Sequence, residues 1–203
     1  PNGAGKTTFV SLLSGRTAAS EGRILFRGQD ITRTPAFRRV RMGIAYTFQI
    51  TNIYPGLPVL ENVRIAALGR AQRGDRLDIE TEARAALDAV GLAGQAERRA
   101  GEMAYGHQRL LEVAMGLALK PSVLILDEPT QGLSDSEIDA FCELVRTISG
   151  FATVLLIEHN MDVVMRLADR ITVLNRGLML AEGTPEEIRA NAEVQAAYFG
   201  TGA

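Results

Sequence analysis

Gly3-Ala4-Gly5-Lys6-Thr7 matches the second half of the pattern G-x-x-x-x-G-K-[ST]. Small residues in such a loop let successive backbone N–H groups converge on phosphate oxygens. Phe9, Val10, Leu12 and Leu13 give the following helix a buried side, and Gly15 can stop it. A helix beginning there aims its positive end at the same anion. Lys6 would reach the β- and γ-phosphates of a nucleotide, and Thr7 would supply a hydroxyl to Mg²⁺. The unit to which this pattern belongs is strand, loop, helix. The chain opens at Pro1, inside the loop, so the preceding strand and the first glycine of the pattern are expected upstream of it.

A second stretch supplies specificity. Val123-Leu124-Ile125-Leu126-Asp127-Glu128 is a continuous apolar run, as a parallel strand buried on both faces requires, and it ends in two carboxylates. Ionised side chains are costly beside a core, so such an ending is unusual. Asp127 is placed to help hold Mg²⁺ and Glu128 to polarise an attacking water.

The remaining segments place these motifs in an α/β frame. Gly22–Gly28 reads as a strand, Pro35 can begin a short basic helix through Arg41, and Ile44–Phe48 is a second strand ending at Gln49. In Asp78–Val90, Ile79, Ala83, Ala86, Leu87 and Val90 share one helical face. The stretch 51–100 therefore predicts a helical lobe, continued by a helix that ends near Lys120-Pro121. Ser134–Glu137 is a capping box, Thr153–Ile157 another buried strand, and Met161–Ala168 a helix. Asn175-Arg176-Gly177 suggests a hairpin between Ile171–Leu174 and Leu178–Ala181, and Thr184-Pro185-Glu186-Glu187 caps a helical tail. Strands alternating with helices argue for a mainly parallel sheet.

Composition narrows the function classes. The chain has 203 residues, enough for one α/β domain with an appended lobe, and no repeats. Its 22 Lys and Arg against 24 Asp and Glu leave a net charge of -2, which provides no overall electrostatic footprint for nucleic acid. A single cysteine, Cys142, excludes an intrachain disulfide and reads as a buried structural thiol in a reducing setting. No apolar run approaches the ~20 residues that span a bilayer, so a soluble or peripheral protein is expected.

The ordered set of motifs resembles the nucleotide-binding domain of ABC transporters over essentially the whole chain. Pro1–Thr8 looks like that family's Walker A, so the resemblance implies that Asn2, Gly3, Ala4, Gly5, Lys6, Thr7 and Thr8 surround the phosphates of ATP. Gln49 matches the Q-loop and would serve both Mg²⁺ and catalysis. Asp127-Glu128-Pro129-Thr130 matches Walker B, Gly132-Leu133-Ser134 occupies the D-loop, and His159 the position of the switch histidine. Met103-Ala104-Tyr105-Gly106-His107-Gln108 sits where the family's signature belongs, so Ala104, Tyr105 and Gly106 would face ATP. The implied fold is a P-loop NTPase core with a mainly parallel sheet, an antiparallel β portion and an inserted helical lobe. Catalysis would fall to Glu128, His159 and Gln49, and metal binding to Thr7, Gln49 and Asp127.

Departures from the family pattern also matter. Ala104 replaces the signature serine, His107 a glutamine, and Ser134 the D-loop aspartate. The backbone at Gly106 is expected to serve the phosphate without the serine hydroxyl, and His107 reads as surface variation rather than a catalytic base. The family's adenine-stacking aromatic is expected upstream of Pro1.

The resemblance implies two such subunits facing head to tail, identical or mixed, on integral membrane permease subunits at the cytoplasmic face of the plasma (inner) membrane. It also implies an extracytoplasmic solute-binding protein as an indirect partner. Ile50, Ile53, Tyr54 and Leu57 offer apolar contact to a permease helix or to the lobe itself. Met103–Gln108, Leu156–Met161 and Gly183–Ile188, with Ala197-Tyr198-Phe199-Gly200, look most like the branched-chain amino-acid importers. Urea and short-amide importers share much of this pattern. ABC ATPases that act on DNA or ribosomes form the rival class; 51–100 is too short for the long coiled coil of the DNA-repair members, at 1.5 Å per helical residue.

Overall fold

Buried apolar runs become adjacent strands. Ile44–Tyr46 (β3), Val123–Asp127 (β4) and Thr153–Ile157 (β5) form a parallel sheet in the order β3-β4-β5. Ile44 pairs with Val123, and Val123 in turn with Thr153, so the carboxyl ends of all three strands lie together. The computed structural model describes residues 3–47, 52–71 and 78–199. Phe48 and Gln49, and with them the expected end of the second strand, lie outside the described residues.

One face of this sheet carries the helix Lys6–Ser14 (α1). Val10, Ile31, Ile44, Ile125 and Ile157 form the core there. The short helix Ala36–Met42 (α2) anchors α1 through Arg39, which is 1% exposed. Its guanidinium donates to the carbonyls of Leu12 and Leu13 at 2.7 and 2.8 Å and to those of Ile31, Thr32 and Thr34. The expected short basic helix thus holds one buried arginine that closes the end of α1, where carbonyls lack helical partners.

The opposite face packs on helices. Val59–Ala71 (α3), Ile79–Ala89 (α4) and Tyr105–Ala118 (α5) bring Val63, Leu87 and Leu111 into one cluster with Leu124 and Leu126. Asp135–Ser149 (α6) adds Phe141, Val145 and Ile148 to the same cluster. Cys142 on α6 is fully buried, and burial pushes its thiol pKa up. Of the four expected contact residues, Ile53 packs against this cluster, Tyr54 and Leu57 are exposed, and Ile50 lies outside the described residues.

Among the described residues, two antiparallel hairpins complete the architecture. Leu25–Phe26 (β1) and Gln29–Asp30 (β2) pair across Arg27 and Gly28, with φ of 51° and 79°. The strand expected across Gly22–Gly28 is therefore a two-residue strand running into a turn, because those two residues adopt the left-handed conformation that a tight hairpin demands. The helix Met161–Leu167 (α7) leads to the second hairpin, Ile171–Asn175 (β6) with Leu178–Gly183 (β7), which turns at Arg176 and Gly177 with φ of 50° and 81°. Pro185–Ala190 (α8) starts on the capping box of Thr184 and Glu187, and Ala192–Phe199 (α9) follows. Between β5 and β6 runs a cleft of about 1690 Å³, lined by Lys6, Phe9, Leu155, Ile171 and Val173 among others. Among the described residues β5 pairs only with β4.

Candidate nucleotide-binding site

The phosphate loop is shaped by two glycines. Gly3 and Gly5 have φ of 70° and 94°, a region costly for other residues, and Gly5 ends the loop as the N-cap of α1 without a side-chain cap. The turn of the β6–β7 hairpin braces the loop, since Gly177 N–H donates to the Ala4 carbonyl at 2.9 Å. A Cβ on Gly5 would lie 3.3 Å from Gly177 Cα. Lys6 is half-buried, and Thr7 and Thr8 are exposed on the first turn of α1.

The two carboxylates at the end of β4 occupy different environments. Asp127 is 1% exposed, and its Oδ2 accepts from the Tyr46 hydroxyl at 3.0 Å. Burial raises the Asp127 pKa; the Tyr46 bond and the positive charge of Lys6 pull it back. Tyr46 is itself pushed up to about 12 by burial and by the neighbouring carboxylate. Glu128 has φ of 50°, and its N–H donates to the Ile157 carbonyl at 2.8 Å. This left-handed turn takes its side chain out of the strand's alternation, leaving it partly exposed beside His159. His159 Nδ1 lies 3.7 Å from Glu128 Oε1, too far for a hydrogen bond but adjacent.

Glu158 holds this arrangement. It is 6% exposed, and Oε1 accepts from Thr130 N–H at 3.1 Å and Thr130 Oγ1 at 2.5 Å. Its Oε2 accepts from the N–H groups of His159 and Asn160 at 3.1 and 3.3 Å. One buried carboxylate therefore joins the loop after β4 to the loop after β5.

The segment that resembles the family signature, Met103–Gln108, runs into the first turn of α5. Ala104 is the N-cap and offers no side-chain hydrogen bond, so no side chain of its own competes for the first N–H groups of the helix. Tyr105 is exposed and Gly106 buried. A Cβ on Gly106 would come within 2.7 Å of Leu133 Cδ2 and 2.9 Å of the Gly132 carbonyl, so the start of α5 sits directly on the segment after Walker B. His107 Nε2 lies 3.2 Å from Glu137 Oε1, and Glu137 also accepts from Ser134 N–H and Oγ at 2.7 Å. The ring of His107 thereby ties α5 to the N-cap of α6.

The structure thus gathers Lys6, Asp127, Glu128 and His159 at the carboxyl ends of the strands and sets Ala104–Gly106 against Gly132 and Leu133. Asn2 and Gln49 lie outside the described residues. Sequence reasoning assigned no role to Tyr46, Glu158 or Arg109. An acid directly after a buried strand was the available signal for Glu158, by the same logic that identified Asp127. Among the described residues no three His, Cys, Asp or Glu side chains cluster as a ready metal cage. The donors at hand, the Thr7 hydroxyl and the Asp127 carboxylate, suit Mg²⁺, which keeps most of its waters and takes one or two protein oxygens beside phosphate. Among the described residues no helix is long and apolar enough to cross a membrane.

The chain is similar to known proteins over nearly all of its length. The family model described as ABC transporter matches residues 1–131, and that described as branched-chain amino acid ATP-binding cassette transporter matches residues 179–203. The high-affinity branched-chain amino acid transport ATP-binding protein LivG of Escherichia coli (strain K12) is 40% identical over 98% of this chain and 84% of its own length. The corresponding protein BraF of Pseudomonas aeruginosa is 38% identical over the same shares. Among solved structures, an ATP-binding cassette of an ABC transporter in its ADP conformation superposes with a TM-score of 0.86 at 26% identity, over 98% of this chain and 85% of that one. A nucleotide-free ATP-binding cassette gives a TM-score of 0.83 at 28% identity, with the same coverage. A phosphate loop on α1, two carboxylates ending a central parallel strand and these matches across the chain lead to one assignment: the chain belongs to the ABC transporter family, as an ATP-binding domain.

Proposed function

We propose that this chain is the ATP-hydrolysing subunit of an importer for branched-chain amino acids. The observation that carries the chemistry is the placement of Glu128 beside His159 at the end of β4, with the phosphate loop and Asp127 alongside. The observation that carries the solute class is the likeness to LivG and BraF along the full chain, together with the branched-chain match at its end.

The residues divide the work. Backbone N–H groups of Gly3–Thr7 and the Lys6 ammonium hold the triphosphate. Thr7 and Asp127 would hold Mg²⁺, with Gln49 as a further ligand, and the ion supplies charge neutralisation on the phosphate oxygens when bound. Glu128 orients and polarises the attacking water. His159 contacts the γ-phosphate and that water. A second subunit, placed head to tail, presents its Ala104–Gly106 segment to the same nucleotide. The pair sits on membrane permeases at the cytoplasmic face, with Tyr54 and Leu57 exposed where a permease helix would dock. The cleft between β5 and β6 takes a further strand that leads into the phosphate loop, as the strand–loop–helix unit requires. Residues 51–120, including α3, α4 and α5, act as the helical lobe.

The test is reconstitution of the complete protein with its permeases and binding protein in vesicles, followed with labelled solutes. Leucine uptake with leucine-stimulated ATP hydrolysis is expected. Stimulation by urea or short amides alone moves the protein to that class of importer, and ATP-driven export overturns the reading.

A further inference from the structure

Arg109 on α5 is 2% exposed, yet it lies in none of the positions that contact nucleotide in the reading above. Its Nη2 donates to the carbonyls of Asp127 and Glu128, both at 3.2 Å. Its Nη1 pairs with Glu112 Oε2 at 3.3 Å. The guanidinium carbon stands 5.7 Å from the centre of the Tyr105 ring. Glu112, one turn along α5 and 5% exposed, uses its other oxygen to accept from Asn52 N–H at 2.5 Å. The two side chains thus link three parts of the molecule. These are the first turn of α5, the backbone carrying both site carboxylates, and the chain that resumes three residues after Gln49.

Burying an ion pair does not by itself favour stability. Desolvation of both charges offsets their attraction, and apolar replacements of the same volume are often at least as stable. Burial indeed pushes the Glu112 pKa up, with Asn52 and Arg109 pulling it back. What such a pair does supply is geometry, and here the geometry falls on Glu128. That residue holds φ of 50°, a conformation that is costly in a non-glycine residue and persists only where its surroundings hold it. Its carbonyl is held by Arg109 and its N–H by Ile157.

We propose that Arg109 and Glu112 are positioning residues that tie the aim of the Glu128 carboxylate to the placement of α5 and of the chain at Asn52. A shift of α5, or of the chain at Asn52, is carried through two side chains to the backbone of the residue that polarises water. Both side chains are buried on protein partners and neither is among the residues assigned to hold nucleotide, so ATP affinity and hydrolysis are expected to respond differently to their loss. This inference rests on the role given to Glu128.

The experiment compares Arg109→Met, Arg109→Lys, Glu112→Gln and Arg109→Met/Glu112→Gln with Glu128→Gln, in the complete protein assembled with its permeases. ATP affinity, single-turnover hydrolysis and thermal stability are read for each. Arg109→Met is expected to slow hydrolysis per bound ATP about 10- to 100-fold with ATP affinity changed less than threefold. Arg109→Lys, which keeps charge but reaches fewer carbonyls, should recover part of the rate. Glu112→Gln keeps an acceptor for Asn52 and should fold, giving a smaller loss, and the double variant should slow hydrolysis by less than the product of the single effects. The proposal is overturned if the rate per bound ATP is unchanged in both Arg109→Met and Glu112→Gln, or if rate and affinity fall together in proportion to lost stability. If Glu128→Gln retains turnover, the role of Glu128 has failed; if Glu128→Gln abolishes turnover and the other variants do not slow it, only the positioning role has failed.

Discussion

The carboxylate of Glu158 accepts two hydrogen bonds from Thr130, one from the backbone at 3.1 Å and one from the hydroxyl at 2.5 Å, across 28 residues of sequence. Its other oxygen takes the N–H groups of His159 and Asn160. The loops bearing Glu128 and His159 are therefore held at fixed separation by a side chain that is itself buried. Glu158→Ala would leave the buried Thr130 N–H and hydroxyl without their acceptor and free the part-buried N–H groups of His159 and Asn160. A loss of about 2–4 kcal/mol is expected, with buried unpaired donors costing ~1–3 kcal/mol each and some relaxation or water entry. Urea unfolding measures it, and a change below about 0.5 kcal/mol contradicts the role.

Glu128→Gln should retain ATP binding and lose turnover. The amide cannot take up a proton from water, while the phosphates are held by the loop and Lys6. The expected drop is ~10²–10⁴-fold, the usual contribution of a positioned general base. Steady-state hydrolysis and light scattering for a nucleotide-trapped dimer check both halves of this expectation.

His159→Ala should slow hydrolysis more than it weakens ATP binding, because charge on the γ-phosphate and attacking water changes in the transition state. ADP has no γ-phosphate, so its affinity should hardly move. Equal losses for ATP and ADP, at an unchanged rate per bound ATP, would make the residue structural.

Glu82 provides a pH-dependent term in the packing of α3, α4 and α5. Its carboxylate meets Lys120 Nζ at 2.6 Å and Arg70 Nη1 at 3.1 Å, and the first of these bonds chiefly lowers its pKa. A depressed folded-state value means that the contribution is complete above the ordinary glutamate value, about 4.3, and is lost as pH falls through the lower folded value. Glu82→Gln should therefore cost up to about 1 kcal/mol at pH 7, where the pairs are partly solvated. The gap between variant and parent should close as pH drops below about 4.3. A gap that stays constant from pH 7 to pH 3 contradicts this origin.

Much of the molecule was legible in the chain itself. The Gly3–Thr7 loop, the strand ending in Asp127 and Glu128, the capping boxes at Ser134 and Thr184, and the hairpin turning at Arg176 and Gly177 are local patterns. Phosphate geometry, strand burial and helix ends impose them wherever they occur. The hairpin at Arg27 and Gly28 escaped the sequence reading because its strands have two residues each, too few to show alternation. Tertiary structure alone decided which polar side chains act together. Arg39 looks like any residue of a basic helix until it meets the carbonyl ends of α1, and Glu158 like any acid until Thr130 arrives from 28 residues away. Arg109 and Glu112 form an ordinary helical charge pair in sequence, and only packing places them between Asn52 and the Glu128 backbone. The physical reason is that composition and period register burial and local hydrogen bonding, whereas the partners of a buried charge come from distant segments and exist only once the sheet and the helices have packed.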